Sequence, residues 1–281
     1  METLNNTRIY PAAFNSLGLL KASGLLWFAM VLVGQWAFFY YIAAFYGGSV
    51  ISGNLDVWNR FEVFGVKPYV PEDSSGNFTF GAHAIAAGLV AFGGALQLIP
   101  QLRRWAPRFH HWNGRVFLFT VVALSLSGLY LVWFRNSPPK DFAGLHSTIN
   151  GLLILLFSYF ALSQAIARKI EQHQRWALRL YLVAIANWTQ RVGVMSYMTL
   201  GNTLALDPTF KDPFFTFWKF GCYLVPLAVL ELYFFASNSK SAIFRISTAA
   251  LVISLTLVMV VGTIAYSMFT HLLITGAPLP L

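Results

Sequence analysis

Seven long apolar runs constrain this chain more than any other feature. They cover approximately residues 20–46, 79–102, 116–134, 142–167, 180–198, 214–236 and 246–274. An α-helix needs about 20 mostly apolar residues to cross the hydrocarbon core of a bilayer. Strands of a membrane barrel would alternate apolar with polar residues, and these runs do not. The sequence therefore predicts an all-α membrane protein with seven transmembrane helices in one membrane domain, 1–281. Composition agrees, since 57% of the residues are hydrophobic and 10% are charged, against about 25% charged in a soluble domain. The single cysteine, Cys222, excludes a disulfide within the chain and any CxxC site. The opening METLNNTRIYPAAFNSLG lacks a compact signal-peptide pattern, so the first run is expected to stay in the membrane.

The formal net charge of +9 would suggest a nucleic-acid partner in a soluble protein. Here the basic residues cluster in short loops, so topology explains them and no nucleic-acid partner is expected. If odd-numbered segments lead outward, Arg8, Lys21, Arg103, Arg104, Arg108, Arg115, Arg168, Lys169, Arg175, Arg179, Lys240 and Arg245 fall inside. Arg60, Lys67, Arg135, Lys140 and Lys211 fall outside, with acidic Asp56, Glu62, Glu72, Asp73, Asp141, Asp207 and Asp212. The positive-inside rule then puts the N-terminus inside and the C-terminus outside. The longest connection, 47–78, is an outer loop. Its Trp58, Phe61 and Phe64, at near-helical spacing, suit either an interfacial helix or an irregular loop with aromatic membrane anchors.

Segments two to five, within 79–198, carry five of the six histidines, each at a segment end. His83 opens segment two, His110 and His111 open three, His146 opens four and His173 opens five. In an antiparallel bundle, His83 and His146 share the outer level, and His110 or His111 shares the inner level with His173. Neutral imidazole is an axial ligand for haem iron. The expectation is a four-helix core bundle holding one or two b-type haems, flanked by two helices within 214–274. Pro107 suits a first helical position. His110 is preferred over His111 because Gly114 and Gly128 share its face and leave room for a ring.

The His83 face continues through Ala87, Val90, Gly94, Gln97 and Gln101. It suits either a flat cofactor or close helix packing. Asn150 lies one turn from His146, and that pair equally suits interhelical hydrogen bonding. Arg191 follows His173 by eighteen residues, on the same face and about 27 Å along the helix, near the outer level. It calls for an anion, such as a haem propionate, a substrate carboxylate or a buried glutamate, or for a water-filled cavity. Snorkelling to outer headgroups is the alternative. Glu231, near the inner end of segment six, is expected to pair with an inner arginine.

Two motifs, HHWNGR from His110 to Arg115 and HQRWALR from His173 to Arg179, carry a resemblance. With His83 opening the preceding helix, they resemble a family of bacterial membrane proteins of uncharacterised role, domain of unknown function family 2306. The resemblance covers about 80–198. His111 stands where the first motif has Arg, and Ala177 where the second has Met. His146 is outside the family pattern, so the resemblance favours the inner pair, His110 with His173. It implies a bacterial cytoplasmic membrane.

The layout is also similar to cytochrome b561, with crossed bis-His haem pairs in four helices. That similarity implies electron transfer, with quinol, ascorbate-like or ferric donors and acceptors, and assigns no catalytic residue. The other expectations are a cofactor-free transporter or receptor with structural histidines, or a membrane anchor subunit of a partner enzyme. The last segment has no lysine for a retinal Schiff base, no HxxxH suits a zinc hydrolase, and no flavin or nicotinamide domain is present.

Overall fold

The computed structural model describes residues 15–64, 67–135, 143–206, 208–209 and 211–278, without the side chains of 61–64 and 143. Arg8, Lys140, Asp141 and Asp207 of the charge count, and the start of segment four at 142, lie outside the described residues. So do the side chains of Phe61, Glu62 and Phe64.

The described residues are helical throughout, without a strand. The main helices are α1 (Ser16–Ile42), α2 (Gly48–Ser52), α3 (Ser74–Gln97), α4 (Pro100–Trp105), α5 (Pro107–Tyr130), α6 (Ala143–Ile166), α7 (Ile170–Ala184), α8 (Ala186–Thr203), α9 (Pro213–Asn238) and α10 (Ala242–Thr275). Their ends are written in the sequence. Asn15, Asp73 and Ser241 cap α1, α3 and α10 by accepting from the backbone N–H groups of Gly18, Gly76 and Phe244. Pro107 and Pro213 occupy first-turn positions, where a missing N–H costs nothing. Gly53 and Gly276 stop α2 and α10 in the left-handed conformation, at φ 72° and 73°.

Among the described residues, six helices are long and apolar enough to cross a membrane: Ser16–Ser52, Ser74–Gln97, Pro107–Arg135, Gly144–Ile166, Pro213–Asn238 and Ala242–Thr275. The remaining expected run, 180–198, is not among them. Segment five is divided between α7 and α8 at Ile185, and polar residues, including Arg179, Asn187, Gln190 and Arg191, break its apolar stretch. Ladder bonds reach the joint residue from both sides, from Ile185 N–H to Tyr181 and from Thr189 N–H to Ile185, both 3.0 Å. The protein is an integral, multi-pass membrane protein. Exposed Leu25, Val33, Phe119, Tyr159, Ile264 and Met268 meet lipid.

Packing runs from helix to helix around the molecule. Helix α1 lies between α3 and α10, α3 packs on α5, α5 on α6, and α6 on α7. Helix α10 also packs on α8, and α9 touches α6, α7, α8 and α10. Small residues permit the closest approaches. A Cβ on Gly88 would lie 3.1 Å from Ile42 of α1, and one on Gly94 would lie 2.7 Å from Phe117 of α5. Gly262 of α10 sits against the Val192 carbonyl of α8, where a Cβ could not fit.

Each end of the bundle is tied by charge. Near the arginine-rich end, Arg179 grips Glu231 with two parallel bonds, Nε to Oε1 at 2.7 Å and an NH2 contact to Oε2 at 2.9 Å. Glu231 thus has the arginine partner expected for it. The Arg179 guanidinium also lies 4.6 Å from the Trp176 ring centre.

At the other end, Arg135 donates to Asp73, Asn77 and the Pro68 carbonyl, at 2.8, 2.7 and 3.0 Å. The long connection there contains a 3₁₀ helix, Leu55–Phe64. Trp58 is 2% exposed, packs on Tyr46 and Phe80, and donates to Ser49 at 2.6 Å. It is buried in the protein, because its indole N–H and ring both find partners there. Arg60 closes this long-loop end by donating to the Leu273 carbonyl at 2.6 Å.

Removing one partner of the Arg179–Glu231 pair should lower stability by about 2 kcal/mol, the scale of charge-assisted hydrogen bonds. In detergent, Arg179→Ala and Glu231→Ala should each lower the thermal midpoint. The double change to leucine should recover most of the loss, because no lone charge remains. Single variants as stable as the parent would refute this.

The Gly76 N–H and the Arg135 guanidinium hold the Asp73 carboxyl below its ordinary pKa. Its contribution is present above the unfolded value and disappears as pH falls through the lower folded value. Thermal midpoints should therefore show an acid limb beginning below about pH 4. Asp73→Asn, which keeps a capping oxygen, should flatten that limb. An unchanged limb would count against it.

Candidate functional site

At the arginine-rich end, Pro107 starts α5, so His110 and His111 occupy its first turns. Their rings are 6.0 Å apart; His110 is half-buried and His111 exposed. His173 lies in the first turn of α7, and its Nδ1 is 2.9 Å from the Ala161 carbonyl of α6. A carbonyl only accepts, so Nδ1 carries the proton and Nε2 keeps its lone pair. His110 lies within electrostatic range of His173, His111 and Arg103.

The glycines of α5 do not face an open slot. Gly114 lies beside Gln97 of α3, and Gly128 lies beside the His83 ring. Deeper in the bundle, buried Val90, Val121, Leu180, Tyr181 and Val183 fill the interior. Phe160 and Trp176 stack at 4.5 Å between α6 and α7.

Toward the long-loop end, His83 Nδ1 is 2.9 Å from Ser127 Oγ of α5. The Ser127 hydroxyl donates to the Leu124 carbonyl, so it accepts from His83 Nδ1–H and again leaves Nε2 with a lone pair. His146 is engaged elsewhere. Its ring lies 6.2 Å from Phe220 of α9, edge to face, and its backbone carbonyl accepts from the Tyr223 hydroxyl at 3.3 Å. His83 and His146 are thus tied to different neighbours. Among the described residues, no three His, Cys, Asp or Glu side chains cluster as a metal site.

Arg191 is partly buried against neighbouring helices. Its guanidinium lies 5.7 Å from the Phe38 ring centre of α1 and donates to the Asn187 backbone and side-chain oxygens. Tyr41 and Tyr46 of the first span and Tyr266 of α10 act on it electrostatically, and it acts on His83. The structure thus brings together His83 and Arg191, and His110 and His173.

The aromatic half of the Arg191 surroundings comes from helices that the histidine pattern did not single out. Two signals could have found it. Gln35, Phe38 and Tyr41 repeat every three residues within the first apolar run, and Asn187 stands one turn before Arg191.

A cavity of about 650 Å³ lies apart from all of these groups, between α1, α8, α9 and α10. None of the histidines lines it. Its wall includes Pro226, the proline inside α9.

Residues 80–234 match the family described as "Predicted membrane protein (DUF2306)". The match runs past the expected limit near 198 and takes in most of α9. No curated protein and no solved structure matches the chain. The similarity of layout to cytochrome b561 therefore gains no support from a known structure.

Proposed function

The chain belongs to the DUF2306 family of predicted membrane proteins, and we propose that it is a b-type cytochrome-like electron carrier with one haem at its arginine-rich end. The observation that carries this is the His173 tautomer. A metal-ligating histidine commonly donates its second N–H to a carbonyl or carboxylate. His173 does so to Ala161 and presents Nε2, with His110 in its field. The donor chemistry suits haem iron, and His110 and His173 are the residues that would hold it. Haem b, when bound, supplies an iron centre that gains and loses one electron.

The chain's own groups supply the setting. The Ala161 carbonyl fixes the His173 ring and its tautomer. Arg103, with Arg104 and Arg108 nearby in sequence, offers charge to propionates. The packed interior beyond the histidines excludes water from the bundle core. His83 and His146 have separate partners, so the proposal is confined to one haem. In this reading α7 and α8 together form a seventh crossing. The arginine-rich end is then cytoplasmic, with the N-terminus inside, the C-terminus outside and the bacterial inner membrane as the site. Quinol, ascorbate-like and ferric compounds remain the donor and acceptor classes. A cofactor-free binding protein is the second reading, favoured by the open surface around Asn187 and Arg191.

Absorbance of the purified protein tests the proposal. Protein from haem-replete cells should show a Soret band and sharp reduced α-bands. His173→Ala and His110→Ala should lose them, while His111→Ala and His146→Ala keep them. Folded but colourless protein would exclude the haem reading and leave the second.

A further inference from the structure

Arg191 lies along the middle of the packed helices. Its neighbour Val192 meets Gly262 near the middle of α10. Helix α8 continues to Thr203, roughly 18 Å beyond Arg191. The guanidinium is also turned toward Phe38 of α1 and away from lipid.

Its surroundings supply little compensation for a full charge. Phe38 offers a ring face, Asn187 offers two oxygens, and Tyr41, Tyr46 and Tyr266 are neutral hydroxyls. The rings form a continuous wall, with Tyr266 6.2 Å from both Phe38 and Tyr41, and Tyr41 5.8 Å from Tyr46. Among the described residues, the ion pairs use Arg135, Arg175 and Arg179, and no carboxylate pairs with Arg191. A lone cation in such a place is costly unless it meets an anion or water.

The side of α8 that carries Asn187 is open. Asn187 keeps an exposed surface and Arg191 an intermediate one, although Ala186, Trp188, Thr189 and Val192 around them are buried. Gln35, one turn below Phe38 on α1, is 1% exposed, and its Nε2 lacks a hydrogen-bond partner among the described residues.

We infer that Arg191 and Asn187, set among the buried rings of Phe38, Tyr41, Tyr46 and Tyr266, bind an oxyanion of the carboxylate or phosphate class. The planar guanidinium fork suits two parallel bonds to such a group, and the aromatic wall suits an apolar body attached to it. Arg191 is on α8 and His173 in the first turn of α7, eighteen residues earlier, so this site is separate from any cofactor at the arginine-rich end. The inference does not depend on haem.

The test uses the full chain, purified in a non-ionic detergent, with benzoate as the dissolved carboxylate and inorganic phosphate as the second probe. Thermal unfolding and intrinsic fluorescence report binding, and phosphorus analysis with mass spectrometry reports any phospholipid retained through purification. A saturable response to either probe, weakened about tenfold or more in Arg191→Gln, supports a site for a dissolved anion. Stoichiometric phospholipid, lost in Arg191→Gln, supports the same site filled by a lipid headgroup. If Arg191→Gln does not fold, Arg191→Lys keeps the charge and loses the fork, and it should bind more weakly than the parent. A parent protein with neither response nor retained lipid, or an Arg191→Lys protein identical to it, overturns the inference.

Discussion

No water reaches the hydrocarbon core of a bilayer, so each backbone N–H and C=O there must find a partner within the chain. The rest of this structure depends on that constraint. It makes the described residues helical and leaves side chains to decide how the helices meet. Since lipid is as apolar as leucine, burial of leucine alone cannot hold helices together. Close approach at glycine and a few polar contacts between helices do that work. Gly88, Gly94 and Gly262 bring α3 to α1 and α5, and α10 to α8. Ser125 donates across to the Gly151 carbonyl, and Ser196 to the Val258 carbonyl, at 2.8 and 2.9 Å.

The same constraint sorts the charges. Arg179 with Glu231, and Arg135 with Asp73, form pairs near the two ends of the bundle, where some access to solvent lowers the cost. Among the described residues no carboxylate pairs with Arg191, which stands on α8 against α1. A family match says only that such chains are predicted membrane proteins. The chemistry must therefore be sought in polar groups that folding does not explain. His173, with Nδ1 held and Nε2 presented, and Arg191, with open surface beside it, are the two strongest.

Much of the architecture was legible along the chain, because crossing a bilayer demands length and hydrophobicity, both local properties. Six of the seven expected spans are long apolar helices. The exception, 180–198, shows the limit of that reasoning. Its polar residues interrupt the apolar run, so it is not among the helices apolar enough to cross. The Glu231 partnership was legible too, since a carboxylate in an apolar run requires a cation. The cation's identity was not, because Arg179 is 52 residues away in sequence. The long connection was legible only in outline. Trp58 could anchor in lipid or in protein, and Ser49 decided for protein.

Sequence by itself determined the all-helical membrane class, most helix limits and the histidine positions at helix ends, because periodicity, capping residues and apolar length are encoded locally. Tertiary structure alone decided which neighbours those side chains have. It set His146 against α9, tied His83 to α5, joined His173 to α6, and surrounded Arg191 with aromatic residues of α1 and α10. The physical reason is that helix adjacency depends on the fit of whole surfaces, down to where a glycine admits a neighbour, and no short stretch of sequence contains both surfaces.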